Sequence, residues 1–526
     1  MTNIHTLGEL RNSGYKIRSV KDEMRENLLA KIARGEKTFP GIHGYDRTVI
    51  PALHNAILSK HDVILLGLRG QAKTRILRSL TSLLDERVPV VEGCEINDWP
   101  FQPACKRCRR LATERGDDLP IAWMTREERY REKLATPDVT VADLVGDIDP
   151  IKAANQRLTY ADEEVIHYGI IPRTNRGIFA INELPDLEPR IQVALLNILE
   201  ERDLQIRGFP VRIPMDVVLV FSANPEDYTS RGNIITPLKD RIDSQILTHY
   251  PQSLQTALQI TQQEAWLDRR AKPSIEIPPY VRELIEQIAF VARDSELVDQ
   301  SSGVSARLTI SAMELLQSNL ERRAAMTGDT HIFPRLSDLA MVLPAITGKV
   351  EMVYEGEQQG AEVVARKLIG TAVGKLFETK FPPVERAGVT GRAERRGFDM
   401  DQDDLDDAFA GRRVKKPQAP PREEPKANVK SEPNYDGILA WFVDGNKVTL
   451  SDEQPFAEYF RELNRIPRLA ETAKKYIQAK NDYELAFWME MILEGMHQAL
   501  RLAREDLDST ITFHELMKFN VLRTVK

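Results

Sequence analysis

The apolar run Val63-Ile64-Leu65-Leu66 leads straight into Gly-Leu-Arg-Gly-Gln-Ala-Lys-Thr-Arg at 67–75, and Ile76, Leu77, Leu80 and Leu84 then follow at helical spacing. A buried strand that ends in a glycine-rich turn and enters a helix aims several backbone N–H groups at one point, where anions bind. Lys73 is placed to reach terminal phosphates as a point charge, and the Thr74 hydroxyl to help hold magnesium. Phosphate loops of this kind carry a second glycine immediately before the lysine, and here Ala72 occupies that position. Its methyl group matters if the backbone there needs a positive φ or a close approach to phosphate.

Further apolar strands follow. Residues 88–91 read as a strand, residues 177–181 lead into Asn182-Glu183, and residues 217–221 stop at Ser222-Ala223-Asn224-Pro225. Buried strands separated by helices specify an α/β fold with a parallel sheet, whose ligands bind at the carboxyl ends of the strands. Gly67, Glu183 and Asn224 all stand at such ends.

The remaining segments divide by pattern. Residues 1–38 form a polar N-terminal helical segment, and 39–252 form the α/β domain, with 92–137 read as an insertion. Residues 253–384 have helical periodicity and form an all-α lid. Residues 385–434 lose that periodicity, carry an acidic run at 399–407, and read as a disordered linker. Residues 435–526 form a C-terminal helical domain, with Ser451 and Gln454 spaced as a capping box and an apolar stripe at Leu485, Trp488, Met489, Ile492, Met496 and Leu500.

Composition narrows the function classes. The net charge of −7 argues against a partner held by phosphate neutralisation, so nucleic acid is not expected. No stretch reaches the roughly eighteen continuous apolar residues of a membrane span, and the first residues lack an apolar signal core, which makes the cytoplasm the expected location. Only three cysteines occur, Cys94, Cys105 and Cys108. They are no disulfide framework for 526 residues, which leaves a metal site or reduced thiols. A structural zinc takes four ligands, so Asp98, Glu95 or a distant residue would complete a zinc site. The flanking Lys106-Arg107 and Arg109-Arg110 would stabilise thiolates or form a basic face for a partner.

The order of these motifs resembles the AAA+ ATPases, in the branch containing the magnesium chelatase I subunit and the MoxR proteins, over about residues 36–350. Residues 67–74 resemble Walker A, 178–183 Walker B, 222–226 sensor 1, 237–242 an arginine-finger segment and 304–308 sensor 2. Residues 143–150, 168–172 and 202–214 are similar to chelatase-type features around the helix-2 insertion and the hairpin before sensor 1.

The resemblance implies ATP and Mg²⁺ as cofactors. The nucleotide set is Gly67, Gly70, Ala72, Lys73, Thr74, Arg75 and Asn182, with Thr74 and Asn182 on magnesium. It implies that Glu183 polarises water, Asn224 contacts water or the γ-phosphate, Arg307 senses that phosphate, and Arg241 acts on a neighbouring subunit in a ring, expected to be a hexamer. Arg231 is the rival finger. Asn182 stands where the family carries aspartate, so magnesium affinity and turnover are expected to be low.

The expected activity is ATP hydrolysis that remodels or activates a partner protein in trans, as in metal insertion. A von Willebrand A domain is the family-based expectation for that partner, and the C-terminal domain for its docking arm. A nucleotide-gated scaffold with little hydrolysis is the alternative. A DNA motor using Arg202, Arg207 and Arg212 is the third reading.

Overall fold

Strand β1 (Val63–Leu66) is buried along its whole length, because parallel neighbours flank it on both sides and helices cover both faces. The other strands of this sheet are β2 (Tyr130–Leu134), β3 (Gly177–Asn182), β4 (Val217–Ala223) and β5 (Ser244–Leu247). They lie in the order β5-β1-β4-β3-β2, all parallel. The computed structural model describes residues 4–156, 162–206, 212–225, 233–269, 274–384, 435–507 and 510–516. The expected linker at 385–434, Arg207 and Arg231 lie outside the described residues. Among the described residues, no helix is long and apolar enough to cross a membrane.

Alternate residues of each strand feed two separate cores, as the two-residue period of a strand requires. Ile64, Leu66, Phe179, Ile181, Leu219 and Phe221 face a core completed by Leu144, Ile191, Ile198 and Leu238. Val63, Leu65, Ile178, Ala180, Val218 and Val220 face the other, completed by Leu28, Leu53, Ile76 and Leu80.

Two features depart from the expected strand pattern. The 88–91 strand (Arg87–Val91) pairs antiparallel with Ile121–Thr125 outside the main sheet. The stretch 92–137, read as an insertion, supplies β2, the edge strand of the main sheet. Tyr-Arg-Glu-Lys-Leu has no apolar run because only one of its edges is paired and its side chains are partly exposed.

The chain divides into two compact units, one formed by Met1–Arg269, Pro279–Leu315 and Val342–Leu368, the other by Arg270–Pro278, Leu316–Met341 and Ile369–Lys526. This division differs from the sequence boundaries because the C-terminal residues share a core with part of the expected lid. Arg335 donates to the Ser451 and Gln454 carbonyls, both at 2.8 Å, and the buried Glu490 carboxylate accepts from the Leu336 and Ser337 amides and the Tyr459 hydroxyl. Burial pushes the Glu490 carboxyl up.

The apolar stripe lies in helix Asp482–Gln498 and is buried, except that Leu500 follows the helix and is exposed. Beside the C-terminal helices stands a three-stranded antiparallel sheet of Val448–Ser451, Leu502–Leu507 and Thr510–Glu515. Ser451 therefore ends a strand. Its amide donates to Gln454 Oε1 at 3.1 Å in a turn, and the next helix starts at Phe456.

In the first unit, the N-terminal helix Val20–Ala33 is tied to the sheet by a buried ion pair. Arg129, just before β2, donates to both carboxylate oxygens of Glu23 at 2.7 and 2.6 Å and to the Arg176 carbonyl at 2.6 Å. Both side chains are almost fully buried. Removing one partner strands the other charge away from water. Arg129→Ala is therefore expected to cost about 3–5 kcal/mol, read as a lowered urea midpoint of the first unit; a loss below about 1 kcal/mol, as for an exposed pair, contradicts this account.

Candidate functional site

The loop 67–72 starts where β1 leaves the sheet, and two glycines allow it to pack closely. A Cβ on Gly67 would stand 1.9 Å from Thr248 Oγ1, and one on Gly70, at φ +74°, would stand 2.0 Å from Ser305 Oγ. Two positions past Gly70 the pattern breaks. Ala72 has φ 58° and ψ 18°, the left-handed conformation that an L side chain adopts at a cost. The substitution noted in the sequence thus falls where glycine would be unstrained.

Ala72 is the N-cap of helix Lys73–Ser79. Lys73 is buried, and its ammonium donates to the Gly67 carbonyl, to the Leu68 carbonyl at 3.1 Å and to Asn224 Oδ1 at 2.7 Å. Thr74 Oγ1 donates to Asn182 Oδ1 at 3.3 Å, and the Ser222 hydroxyl donates to the same oxygen at 3.1 Å. The residues expected from β1, β3 and β4 therefore meet. Glu183, one residue past β3, also has a left-handed backbone, φ 56°.

A cleft of about 660 Å³ opens beside this cluster. Gly70, Ala72, Lys73, Thr74, Arg75, Glu183 and Arg307 line it. Gly67, Asn182 and Asn224 do not line it and are linked to it through Lys73 and Thr74. Arg75 is ion-paired with Glu264, and Arg307 is the first residue of helix Arg307–Thr327. A buried junction joins that helix to helices Leu254–Glu264 and Pro279–Arg293: Thr261 Oγ1 donates to Glu286 and lies 3.0 Å from Thr309 Oγ1. Burial pushes the Glu286 carboxyl up. This junction presents Ile260, Ala306, Arg307 and Ile310 to the cleft.

The opposite wall carries residues that no motif singled out: Ile42, His43, Tyr45 and His249. Tyr45 fixes it, its hydroxyl donating to the Gln71 carbonyl at 2.9 Å and the His249 carbonyl at 2.8 Å. Burial pushes the Tyr45 phenol up to about 12. Gly41 and Gly44, at φ 79° and 81°, bracket Ile42 and His43 in the loop that forms it.

Arg241 is not part of the cleft. It ends helix Thr236–Arg241, where it binds Glu200 at 2.6–2.7 Å and the Pro237 carbonyl at 3.0 Å. Two arginines considered for nucleic acid are paired as well, Arg202 with Asp62 at 2.6 Å and Arg212 with Asp203 at 3.2 Å.

The three cysteines lie elsewhere in the same unit, with Asp98 among them. Their side-chain donor atoms and one Asp98 oxygen lie within 4.8 Å of one another. Glu95, the other acid considered, pairs instead with Lys152 at 3.1 Å. Hydrogen bonds from the Cys105 and Cys108 thiols draw the Cys94 thiol down to about 4. The same contacts push Cys108 up, and burial pushes the Asp98 carboxyl to about 7. The flanking cations are engaged: Lys106 with Asp162 at 2.7 Å, Arg107 with the Gly93 carbonyl at 2.9 Å, Arg109 with Glu163 at 3.5 Å and Arg110 with Glu164 at 2.7 Å.

Residues 120–242 match the AAA domain of the dynein-related subfamily. The magnesium-chelatase 38 kDa subunit of Cereibacter sphaeroides is 28% identical over 212 residues, which cover 39% of this chain and 56% of that subunit. The magnesium-chelatase subunit ChlI of Guillardia theta is 25% identical over 247 residues, 45% of this chain and 65% of its own. A solved complex between subunits BchI and BchD of magnesium chelatase is similar at 20% identity and a TM-score of 0.32, covering 61% of this chain and 98% of that one. The chain spans 56% of the length of the 38 kDa subunits it matches. It carries an AAA domain of the dynein-related subfamily and is homologous to the I-type subunits of magnesium chelatase.

Proposed function

We propose that the first unit binds and hydrolyses ATP, and that hydrolysis in a ring of copies drives remodelling of a partner protein. The observation that carries this reading is the cleft at the carboxyl edge of the sheet, where the phosphate loop, Glu183 and Arg307 share one set of walls. The phosphates would lie on the amides of 70–74, with the Lys73 ammonium exchanging its bonds to loop carbonyls for phosphate oxygens. Ile42 on one wall and Ile260 and Ile310 on the other supply apolar surfaces suited to a flat base.

Thr74 Oγ1 and Asn182 Oδ1 are neutral oxygen donors that fit Mg²⁺, an ion that takes oxygen ligands. Bound there, magnesium would neutralise phosphate charge. Glu183 is the base that orients and polarises the attacking water. Asn224 accepts from Lys73 and would contact water or the terminal phosphate. Arg307, on the lid side, responds to that phosphate.

Arg241 belongs to a different task. It does not line its own cleft, as expected of a residue acting on a neighbour's nucleotide, and this supports a ring, with six copies as the family-based number. A partner in trans, with a von Willebrand A domain as the first candidate, follows from the chelatase resemblance. The cysteine cluster lies outside this cleft, so an ion held there would act on the fold rather than on the phosphates.

Glu183→Gln tests the central claim: turnover is expected to fall about 10²-fold or more, with nucleotide affinity essentially retained. Equal background rates for both proteins in the assembled state would favour a nucleotide-gated scaffold. Asn182→Asp restores a negative charge beside Thr74 and is expected to tighten magnesium half-saturation about tenfold; unchanged magnesium dependence would remove Asn182 from the metal site. Ala72→Gly relieves the left-handed backbone and is expected to raise stability by about 1 kcal/mol, measured by urea unfolding without nucleotide.

A further inference from the structure

The loop 94–108 gathers all three cysteines of the chain around one aspartate, 1% exposed. A tetrahedral zinc with Zn–S near 2.3 Å holds its sulfurs about 3.8 Å apart. The four donor atoms, all within 4.8 Å of one another, outline a ligand set of that size.

The surrounding backbone is arranged for ligands. The Asp98 amide donates to Cys94 Sγ and the Cys108 amide to Cys105 Sγ, both at 3.3 Å. Such N–H···S bonds spread thiolate charge and orient the sulfur. The Asp98 oxygens accept from the Ala104 and Cys105 amides at 3.0 and 2.9 Å. A carboxylate oxygen with one such bond still has a lone pair for a metal.

We propose that Cys94, Asp98, Cys105 and Cys108 bind one zinc ion that serves as a structural clamp on the start of helix Lys106–Arg115. Three soft sulfurs and one oxygen suit zinc; magnesium and calcium take oxygen ligands, and the common iron–sulfur clusters take four cysteines where this chain has three. Four protein ligands leave no open coordination position, which is the mark of a structural site.

The clamp has definite contacts to hold. Cys108 is fully buried in the core on one face of the sheet, the Lys106 amide donates to Glu163 Oε1 at 2.7 Å, and Asn97 donates to the Arg173 carbonyl at 2.8 Å. The ion would thus join the cysteine loop to the 163–175 segment that precedes β3.

The test is elemental analysis of the full-length protein purified without chelator, followed by hydrogen exchange before and after metal removal. About one zinc per chain is expected, lost in Cys108→Ser. Asp98→Cys is expected to retain the ion and, after cobalt substitution, to gain thiolate-to-cobalt charge-transfer absorption. Because Cys108→Ser can fail through misfolding alone, the wild type treated with chelator is the second arm. Exchange protection should fall across 92–115 and 163–175 and stay unchanged at 67–75. The proposal is overturned by zinc below about a tenth of an ion per chain with all three thiols freely titratable, by stoichiometric iron instead, or by exchange that chelation leaves unaltered.

Discussion

Everything at the proposed nucleotide cleft depends on the pairing of β1 with a parallel strand on each side. Leu66 is opposite Ala223 on one side and Leu247 on the other. The ladder continues past the strand, since the Gly67 amide donates to the Ala223 carbonyl at 3.2 Å and the Thr248 amide to the Leu66 carbonyl at 2.7 Å. Parallel strands all end on one edge, so the phosphate loop, Asn182-Glu183 and Asn224 arrive together without any contact chosen for the purpose. The bonds from Lys73 to Asn224 and from Thr74 to Asn182 follow from that register.

The same edge holds two residues in an unfavourable backbone conformation. Ala72 and Glu183 both lie in the left-handed region, at a cost of roughly 1–2 kcal/mol each. Each begins a helical turn whose first bond offsets part of the cost: the Ile76 amide donates to the Ala72 carbonyl at 2.9 Å, and the Asp186 amide to the Glu183 carbonyl at 3.0 Å. Strain that survives at two points of one cleft, neither of them glycine, fits a site where position outweighs local stability.

This asymmetry decided what could be read in advance. β1, β3 and β4 are buried on both faces and so appear in the sequence as plain apolar runs, and the motif residues at their ends were legible with them. β2 and β5 lie at the edges of the sheet, and their mixed composition gave no signal. The far wall of the cleft has no sequence signature for another reason. Ile42, Tyr45 and His249 act through surfaces that only chain folding brings together, with no spacing rule between them. The extent of the second unit was hidden likewise, because the contacts of Arg335 and Glu490 span more than a hundred residues.

The sheet also separates its two clusters of chemistry. The cysteine loop is wired to the amino ends of the strands: Asn175, two residues before β3, donates to the Ile96 carbonyl at 3.0 Å, and its oxygen accepts from the Asp216 amide just before β4 at 2.8 Å. Trp99 of that loop lies under the Arg176 guanidinium, which is paired with Asp216 at 2.9 Å. The phosphate loop uses the carboxyl ends of the same strands. Since β3 and β4 run from one edge of the sheet to the other, a brace at the amino end would set where Glu183 and Asn224 emerge without being part of the cleft. Damage to the brace should therefore reach the cleft only as a shift of whole strands, and the local bonds of Lys73 and Thr74 would persist until the sheet itself loosens.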